Sequence, residues 1–368
     1  MTVRQVLVQA GLAAAALVAA YFTWQRGPEL APGEAIALDI AKNDLSSARF
    51  DDEEKNTWVE LARSSDENGS FITVLLGPQD KPSSKPKSPD KLKAPDKADA
   101  KTTAKADTKA DAKVPEQAET KTADKTPARL VRGSAAAEKL FASFTPLRAN
   151  RSLGVLGPEK LKELGLDAPK KRITLTLRTG KRVFAIVPAP PGGTLPYLRD
   201  EASGQVYVVA RSFLSDFQAA ASVLVERKAH GFRLEEADRV QVSRGDVKRE
   251  FVVMRSDHSL QLAPANAPDK PDAGFKTWHD KVFSLWPTEV LGKGEVPAEG
   301  TPEVALRLDY SMRGRRLGWL EIGKVPAVTS SADGGKDVLY ARHERSLGWV
   351  KLGTHAQNVL ADAQAFFK

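Results

Sequence analysis

The sequence predicts an α+β protein: two repeated modules of mostly antiparallel sheet plus helices, preceded by a transmembrane helix and carrying one disordered Lys/Ala/Asp-rich insertion. Three observations carry this prediction. Residues 197–203 (Tyr-Leu-Arg-Asp-Glu-Ala-Ser) and 340–346 (Tyr-Ala-Arg-His-Glu-Arg-Ser) share one Tyr-x-Arg-x-Glu-x-Ser pattern, 143 positions apart. Each copy lies in the same order of apolar segments, which marks a repeated structural unit. From Asp80 to Ala128 the chain is almost entirely Lys, Ala, Asp, Thr, Pro and Ser, with too little apolar surface to offset the entropy of ordering it.

At the amino end, Val6 to Trp24 form a 19-residue apolar run broken only by Gln9, Gly11 and Thr23. At about 1.5 Å per residue it nearly spans a hydrocarbon core of about 30 Å. Tyr21, Phe22 and Trp24 sit where an interfacial aromatic belt lies. The competing reading is a cleaved signal peptide, since Val18-x-Ala20 resembles a cleavage site. The run continues past that site into Trp24, which favours an anchor over residues 1–26. Arg4 and the free amino group place the short amino end in the cytoplasm and the bulk of the chain outside it.

The first module is read over residues 35–79 plus 129–225. Trp58 to Ala62 and Phe71 to Leu76 are strand-like. Ala137, Leu140, Phe141 and Phe144 make an amphipathic helix, N-capped by Ser134 and ended by Pro146. Ile173 to Leu177 and Val183 to Val187 alternate as half-buried strands about the Thr179-Gly180 turn. Pro196 to Arg199 and Gln205 to Ala210 form a hairpin, and Phe213 to Leu224 a closing helix. The second module, 226–368, repeats this order. Arg239 to Ser243, Glu250 to Arg255 and Ser259 to Leu262 are its first strands. Trp278, Val282, Leu285 and Trp286 form a helical stripe stopped by Pro287. Val304 to Asp309, Leu317 to Ile322, Val338 to His343 and Gly348 to Leu352 follow as strands, and a helix from His355 to Phe367 closes the chain. Ser143-Phe144-Thr145-Pro146 and Ser284-Leu285-Trp286-Pro287 correspond at an offset of 141. In this register the tract at 80–128 expands the connection that is the short loop 263–274 in the second copy. Residues 48–79 are therefore expected to pair in a sheet with strands beyond residue 170, across the tract, because a loop about four times longer costs only about 1.2 kcal/mol more to close.

Composition narrows the function. The net charge is +8, but Lys and Arg against Asp and Glu give −5 for residues 35–79 and +8 for 129–225. The acidic run Asp51 to Glu54 is thus expected to face the basic run at Lys170. Asp and Glu interleave the Lys-rich tract, whose net +3 releases few counterions from a phosphate backbone, so no nucleic acid partner is expected. No cysteine is present, which removes disulfides, thiolate metal sites and a catalytic thiol.

No phosphate-cradling, dinucleotide-binding or Gly-x-Ser-x-Gly motif occurs. The five histidines never pair at helical metal-ligand spacing, and no cofactor is expected. His279-Asp280, adjacent on a helix and so pointing about 100° apart, reads as a solvated polar face. The remaining tryptophans, Trp58, Trp278, Trp286, Trp319 and Trp349, read as core. Arg148, Arg151, Lys170, Lys171 and Arg172 are the candidate anion patch, met chiefly by the chain's own acidic segment. In the repeated motif, Tyr197, Arg199 and Glu201, like Tyr340, Arg342 and Glu344, read as a structural row with a cross-strand salt bridge beside a packed Tyr.

The stretch Leu161-Lys162-Glu163-Leu164-Gly165-Leu166-Asp167-Ala168-Pro169, set between the amphipathic helix and strands that lead to Val206-Tyr207-Val208-Val209, resembles the bacterial family catalogued as domain of unknown function 4340. The resemblance implies a single-pass inner-membrane protein with its bulk in the periplasm, often encoded near components of gliding-motility-type ABC transporters. It brings no catalytic residues. The expected function is a non-enzymatic accessory or scaffold that binds an envelope protein such as a transporter permease. The alternatives are binding of an anionic envelope polymer or ligand by the basic first module and, less favoured, hydrolysis at a site gathering Arg342, His343 and Glu344.

Overall fold

The computed structural model describes residues 13, 16–18, 20, 21, 32–67, 69–78, 128–190, 193–256, 259–326 and 337–367. The anchor expected over 1–26 and the insertion expected over 80–128 lie almost wholly outside the described residues. Among the described residues no helix is long and apolar enough to cross a membrane.

The described chain is a mixed sheet-and-helix protein. Its first half runs β1 (Ala35–Leu38), β2 (Leu45–Asp52), β3 (Thr57–Asp66), β4 (Gly69–Pro78), β5 (Arg129–Arg132), α1 (Ala135–Ala142), β6 (Leu147–Ala149), β7 (Arg151–Val155) and α2 (Pro158–Glu163). It continues through β8 (Lys171–Leu177), β9 (Gly180–Val187), β10 (Tyr197–Asp200), β11 (Gln205–Val208), α3 (Arg211–Gln218) and α4 (Ala220–Val223). The second half comprises β12 (Arg239–Arg244), β13 (Val247–Ser256), β14 (Ser259–Pro264), α5 (Ala273–Phe283), β15 (Pro287–Val290), β16 (Glu303–Met312), β17 (Arg315–Val325), β18 (Val338–His343), β19 (Val350–Leu352) and α6 (Val359–Ala363).

Two large sheets result, with the orders β5-β4-β3-β2-β8-β9-β10-β11-β7 and β14-β13-β12-β16-β17-β18-β19-β15. Set β5 aside and the two orders match strand for strand, in space and along the chain. The expected pairing across the insertion is present: β2 runs antiparallel to β8, with Ala48 opposite Leu175 and Phe50 opposite Ile173. Residues ahead of the insertion therefore occupy the middle of a sheet completed by residues behind it.

Local chemistry explains the element ends. Ser134 caps α1, its Oγ accepting the N–H groups of Ala136 and Ala137 at 3.2 and 3.4 Å, and Asp272 caps α5 by accepting the Phe275 N–H at 2.9 Å. The β8–β9 hairpin turns at Gly180, whose φ of +139° suits a residue without a Cβ. One face of each sheet is covered by helices. In the first, Phe217 of α3 stacks on Phe50 of β2 with centroids 5.0 Å apart, and Phe144 and Phe213 complete the cluster. In the second, Phe275 and Trp278 of α5 are buried with Phe251, and the Trp278 indole donates to the Val359 carbonyl at 3.0 Å.

Several expectations need correction. Of the five tryptophans read as core, only Trp278 is buried; Trp286 is 52% exposed. Trp58, Trp319 and Trp349 are half-buried under Arg49, Arg307 and Arg342 at 4.2, 5.3 and 4.8 Å from the ring centroids. Trp58 and Trp319 sit on strands but on the outer face, and Trp349 just ahead of β19; in each case a guanidinium covers the ring. The closing helix from His355 to Phe367 is instead a 3-10 turn, the short α6 and a second 3-10 turn, and Asn358 provides no side-chain cap. Strands β1, β5, β6, β7 and β15 and helix α2 were not anticipated; each is short, at three to six residues, below the length at which periodicity becomes visible. β2, eight residues long, was not named as a strand either, because its Arg49, Asp51 and Asp52 hide the apolar alternation.

Candidate functional site

The two sheets meet where β5 leads into α1 and where residues 225–231 link the halves. β5 has no counterpart in the second sheet, and it makes much of the junction. Arg129 donates to Glu289 at 3.2 Å and Glu295 at 2.8 Å. The Lys293 N–H donates to the Leu130 carbonyl at 2.8 Å, and Arg132 donates to Asp66 at 2.9 Å while lying 4.0 Å over Phe71. Gly292 passes so close that a Cβ there would lie 2.9 Å from Arg129 Cγ and 3.1 Å from the Leu130 nitrogen. Below this, the buried carboxylate of Glu226 accepts the Arg227 and Lys228 N–H groups, both at 2.9 Å, and takes an ion pair from Arg345.

An open cleft of about 380 Å³ lies beside these contacts, between the start of α1, the end of α4, the linker and the second module. Its walls include Ser134, Val223, Arg227, Lys228, Trp286 and Arg345. Arg345 is engaged by Glu226. Arg227 reaches only the carbonyls of Pro287 and Ala221, each at 3.4 Å, and no carboxylate among the described residues pairs with Arg227 or Lys228.

Beneath the cleft, in the second module, a polar cluster sits among aromatic rings, with His230 and Gly231 at the cleft wall and His279, Tyr310 and His343 buried behind them. His230 stacks on Phe283 at 4.4 Å, and its Nδ1 lies 3.3 Å from Glu344 Oε1. The same carboxylate accepts the Gly231 and Trp319 N–H groups at 3.2 and 3.1 Å. Gly318 admits it, because a Cβ there would lie 2.7 Å from the Glu344 carboxyl carbon. His279 Nε2 is 3.1 Å from the Tyr310 hydroxyl, and both residues are fully buried. Burial pushes His279 and His343 down to about 4 and raises the Tyr310 hydroxyl. Burial alone would raise Glu344; the His230 hydrogen bond and charge and the Trp319 N–H outweigh it and leave that carboxyl lowered. His279 is therefore not on a solvated polar face, as expected from its sequence neighbours. Only Asp280 is, at 52% side-chain exposure. The sequence spacing excluded a helical histidine pair, yet tertiary packing brings His230, His279 and Tyr310 within ring contact.

The five candidate basic residues do not form one patch. Lys171 is buried and paired with Asp52 and Glu54, Lys170 lies 3.7 Å from Glu54, and Arg172 bonds Glu53 at 2.5 Å and Glu201 at 3.3 Å. Arg148 lies 3.9 Å from Glu34. Arg151 sits exposed on β7, four strand steps from β8, or about 19 Å at the usual strand spacing.

In the repeated motif the strand ends before the Glu, so the row does not share one face to its end. Arg199 donates to the Leu166 carbonyl at 3.2 Å, whereas Arg342 pairs with Glu321 directly across on β17. Tyr197 and Tyr340 pack into small outer-face clusters, the Tyr340 hydroxyl donating to Glu299 at 2.5 Å. The residue between Arg and Glu closes the turn in both copies. Asp200 Oδ1 accepts the Ala202 N–H at 3.0 Å, and His343 Nδ1 accepts the Arg345 N–H at 3.3 Å. Glu201 is an exposed partner of Arg172, while Glu344 is the buried acceptor described above. Arg342, His343 and Glu344 do not converge on an open pocket: Arg342 turns to Glu321, and the other two face inward.

No protein-family model, curated protein or solved structure matches the chain. The cleft residues Arg227, Lys228 and Trp286 carry no motif. One signal was present in the sequence: Trp286 stands where the first copy has Thr145, so the shared fold does not require an aromatic ring there.

Proposed function

We propose that this chain is a non-enzymatic, membrane-anchored extracytoplasmic scaffold that holds an envelope protein partner, with an ABC transporter permease as the class its family resemblance suggests. The observation that carries this reading is the junction. Two sheets of one topology are fixed together by the extra strand β5, leaving an open cleft lined with a tryptophan and with Arg227 and Lys228, which have no carboxylate partner among the described residues. Arg and Trp in such positions are the residues that dominate protein interfaces. Of the groups with strongly shifted protonation, His279, His343 and Tyr310 are buried in the core, while Glu299 and Tyr340 are tied to each other and Glu299 to Lys351, and Arg307 to Asp309 and Glu321. The alternative through the basic first module rests on little free charge, since Lys171 and Arg172 are taken up by Asp52, Glu53, Glu54 and Glu201.

The test is gentle detergent extraction of the full chain after in-cell crosslinking, with identification of what travels with it. A single membrane protein recovered in stoichiometric amount supports the scaffold; recovery of the chain alone overturns it. The reading of residues 80–128 as a tether within the first module yields a second expectation. Replacing them with a loop the length of residues 263–274 leaves the fold intact and stabilises it by about 1 kcal/mol, seen as a higher urea midpoint. Loss of cooperative unfolding in that variant would show that the tract is a structural part of the sheet.

A further inference from the structure

We infer that the cleft between the two modules is the docking site for an acidic peptide segment of the partner, one that pairs carboxylates with an apolar or aromatic side chain. This rests on the scaffold reading and adds the surface and its chemistry. Trp286 is 52% exposed and occupies a position that Thr145 fills in the first module, so the ring contributes a surface rather than a core. Trp and Arg are enriched where protein surfaces bind partners. Arg227 and Lys228, both lining the same cleft, have no carboxylate partner among the described residues. The one carboxylate in the wall, Glu226, is already held by Arg345 and by two backbone N–H groups, so it does not neutralise them. The start of α1 forms part of the opposite wall, its partial positive charge adding to the same sign.

The lining favours peptide over glycan. It contains Ala135, Ala136, Val223 and Val225, and its one carboxylate, Glu226, is already engaged by Arg345 and two backbone N–H groups, which leaves few acceptors for sugar hydroxyls. A carboxylate-bearing peptide would place its charge on Arg227 and Lys228 and its apolar side chain on Trp286.

The experiment titrates the full-length chain in detergent with a fluorescein-labelled random copolymer of glutamate and tyrosine, read by anisotropy, and runs labelled alginate, a polyuronate glycan, alongside. Binding of the copolymer that weakens at least about tenfold in Trp286→Ala and in Lys228→Glu, and survives in Trp286→Phe, supports the site. Both positions are solvent-facing, so unchanged thermal melts are expected and certify the fold. Copolymer binding that ignores these changes, absence of copolymer binding, or alginate binding with the same sensitivity overturns it. If the cleft variants still retain the crosslinked membrane partner, the docking site is refuted and the scaffold stands. If the wild-type chain has no partner, the scaffold itself falls.

Discussion

Glu344→Ala is expected to destabilise the protein by about 3 to 5 kcal/mol, whereas Glu201→Ala, at the matching position of the first module, is expected to cost less than about 1 kcal/mol. The two glutamates occupy one place in one motif and do different physical jobs. Glu201 keeps 41% of its side chain in solvent and shares Arg172 with Glu53; water replaces it when it is removed. Glu344 is 7% exposed and collects His230 and the N–H groups of Gly231 and Trp319. Its removal leaves the Gly231 N–H to solvent but strips His230 and the Trp319 N–H of their part-buried acceptor, and each unmade bond of that kind costs about 1 to 3 kcal/mol. Glu344→Gln should recover only part of the loss, since its amide presents donors to donors. Urea unfolding with unchanged slope and a lowered midpoint is the measurement. Similar costs for Glu201→Ala and Glu344→Ala would mean that the repeated motif has a common role and that the polar cluster contributes nothing special.

The contrast shows where sequence reading reaches its limit. Side-chain alternation located the strands around Ile173–Leu177 and Val304–Asp309, and Ser134 announced the start of α1, because those signals are local. The internal match at 143 residues gave the shared strand order, and with it the pairing of β2 with β8 across the insertion. What stayed hidden depends on which residues meet from afar. His230, His279 and Tyr310 come from a linker, a helix and a strand, and no spacing links them. The side of a sheet that faces a helix is also a tertiary fact, which is why Trp319 and Trp349 were assigned to the core when they lie on the outer face under arginines. β5 is four residues long and carries two arginines; only its role as the edge on which the second module docks gives those charges their partners, Glu289 and Glu295 on one side and Asp66 on the other.

Acidification from pH 7 to about 4 is expected to remove about 3 kcal/mol of stability for each of His279 and His343. Both imidazoles are held neutral by burial, at about 4 in the folded chain against about 6.5 when unfolded. Between those values the unfolded state binds more protons than the folded one, so stability is fully present above about pH 6.5 and falls as the pH drops toward 4. The surrounding charges do not reverse the sign. Glu344 and Glu226 favour the charged form of His343, His230 and Arg345 oppose it, and desolvation exceeds them all. At His279, Asp280 favours the charge while His230 and Lys276 oppose it, again under a larger desolvation effect. Denaturant midpoints measured from pH 7 to 4.5 should therefore slope downward by close to two protons. His343→Asn separates this effect from general acid sensitivity. An asparagine oxygen can accept the Arg345 N–H as Asp200 accepts that of Ala202, so the turn is kept while the titrating group is lost, and about half of the slope should disappear. A flat profile over this range, or an unchanged slope in His343→Asn, would place the pH dependence elsewhere and show that the sealed histidines are reached by water.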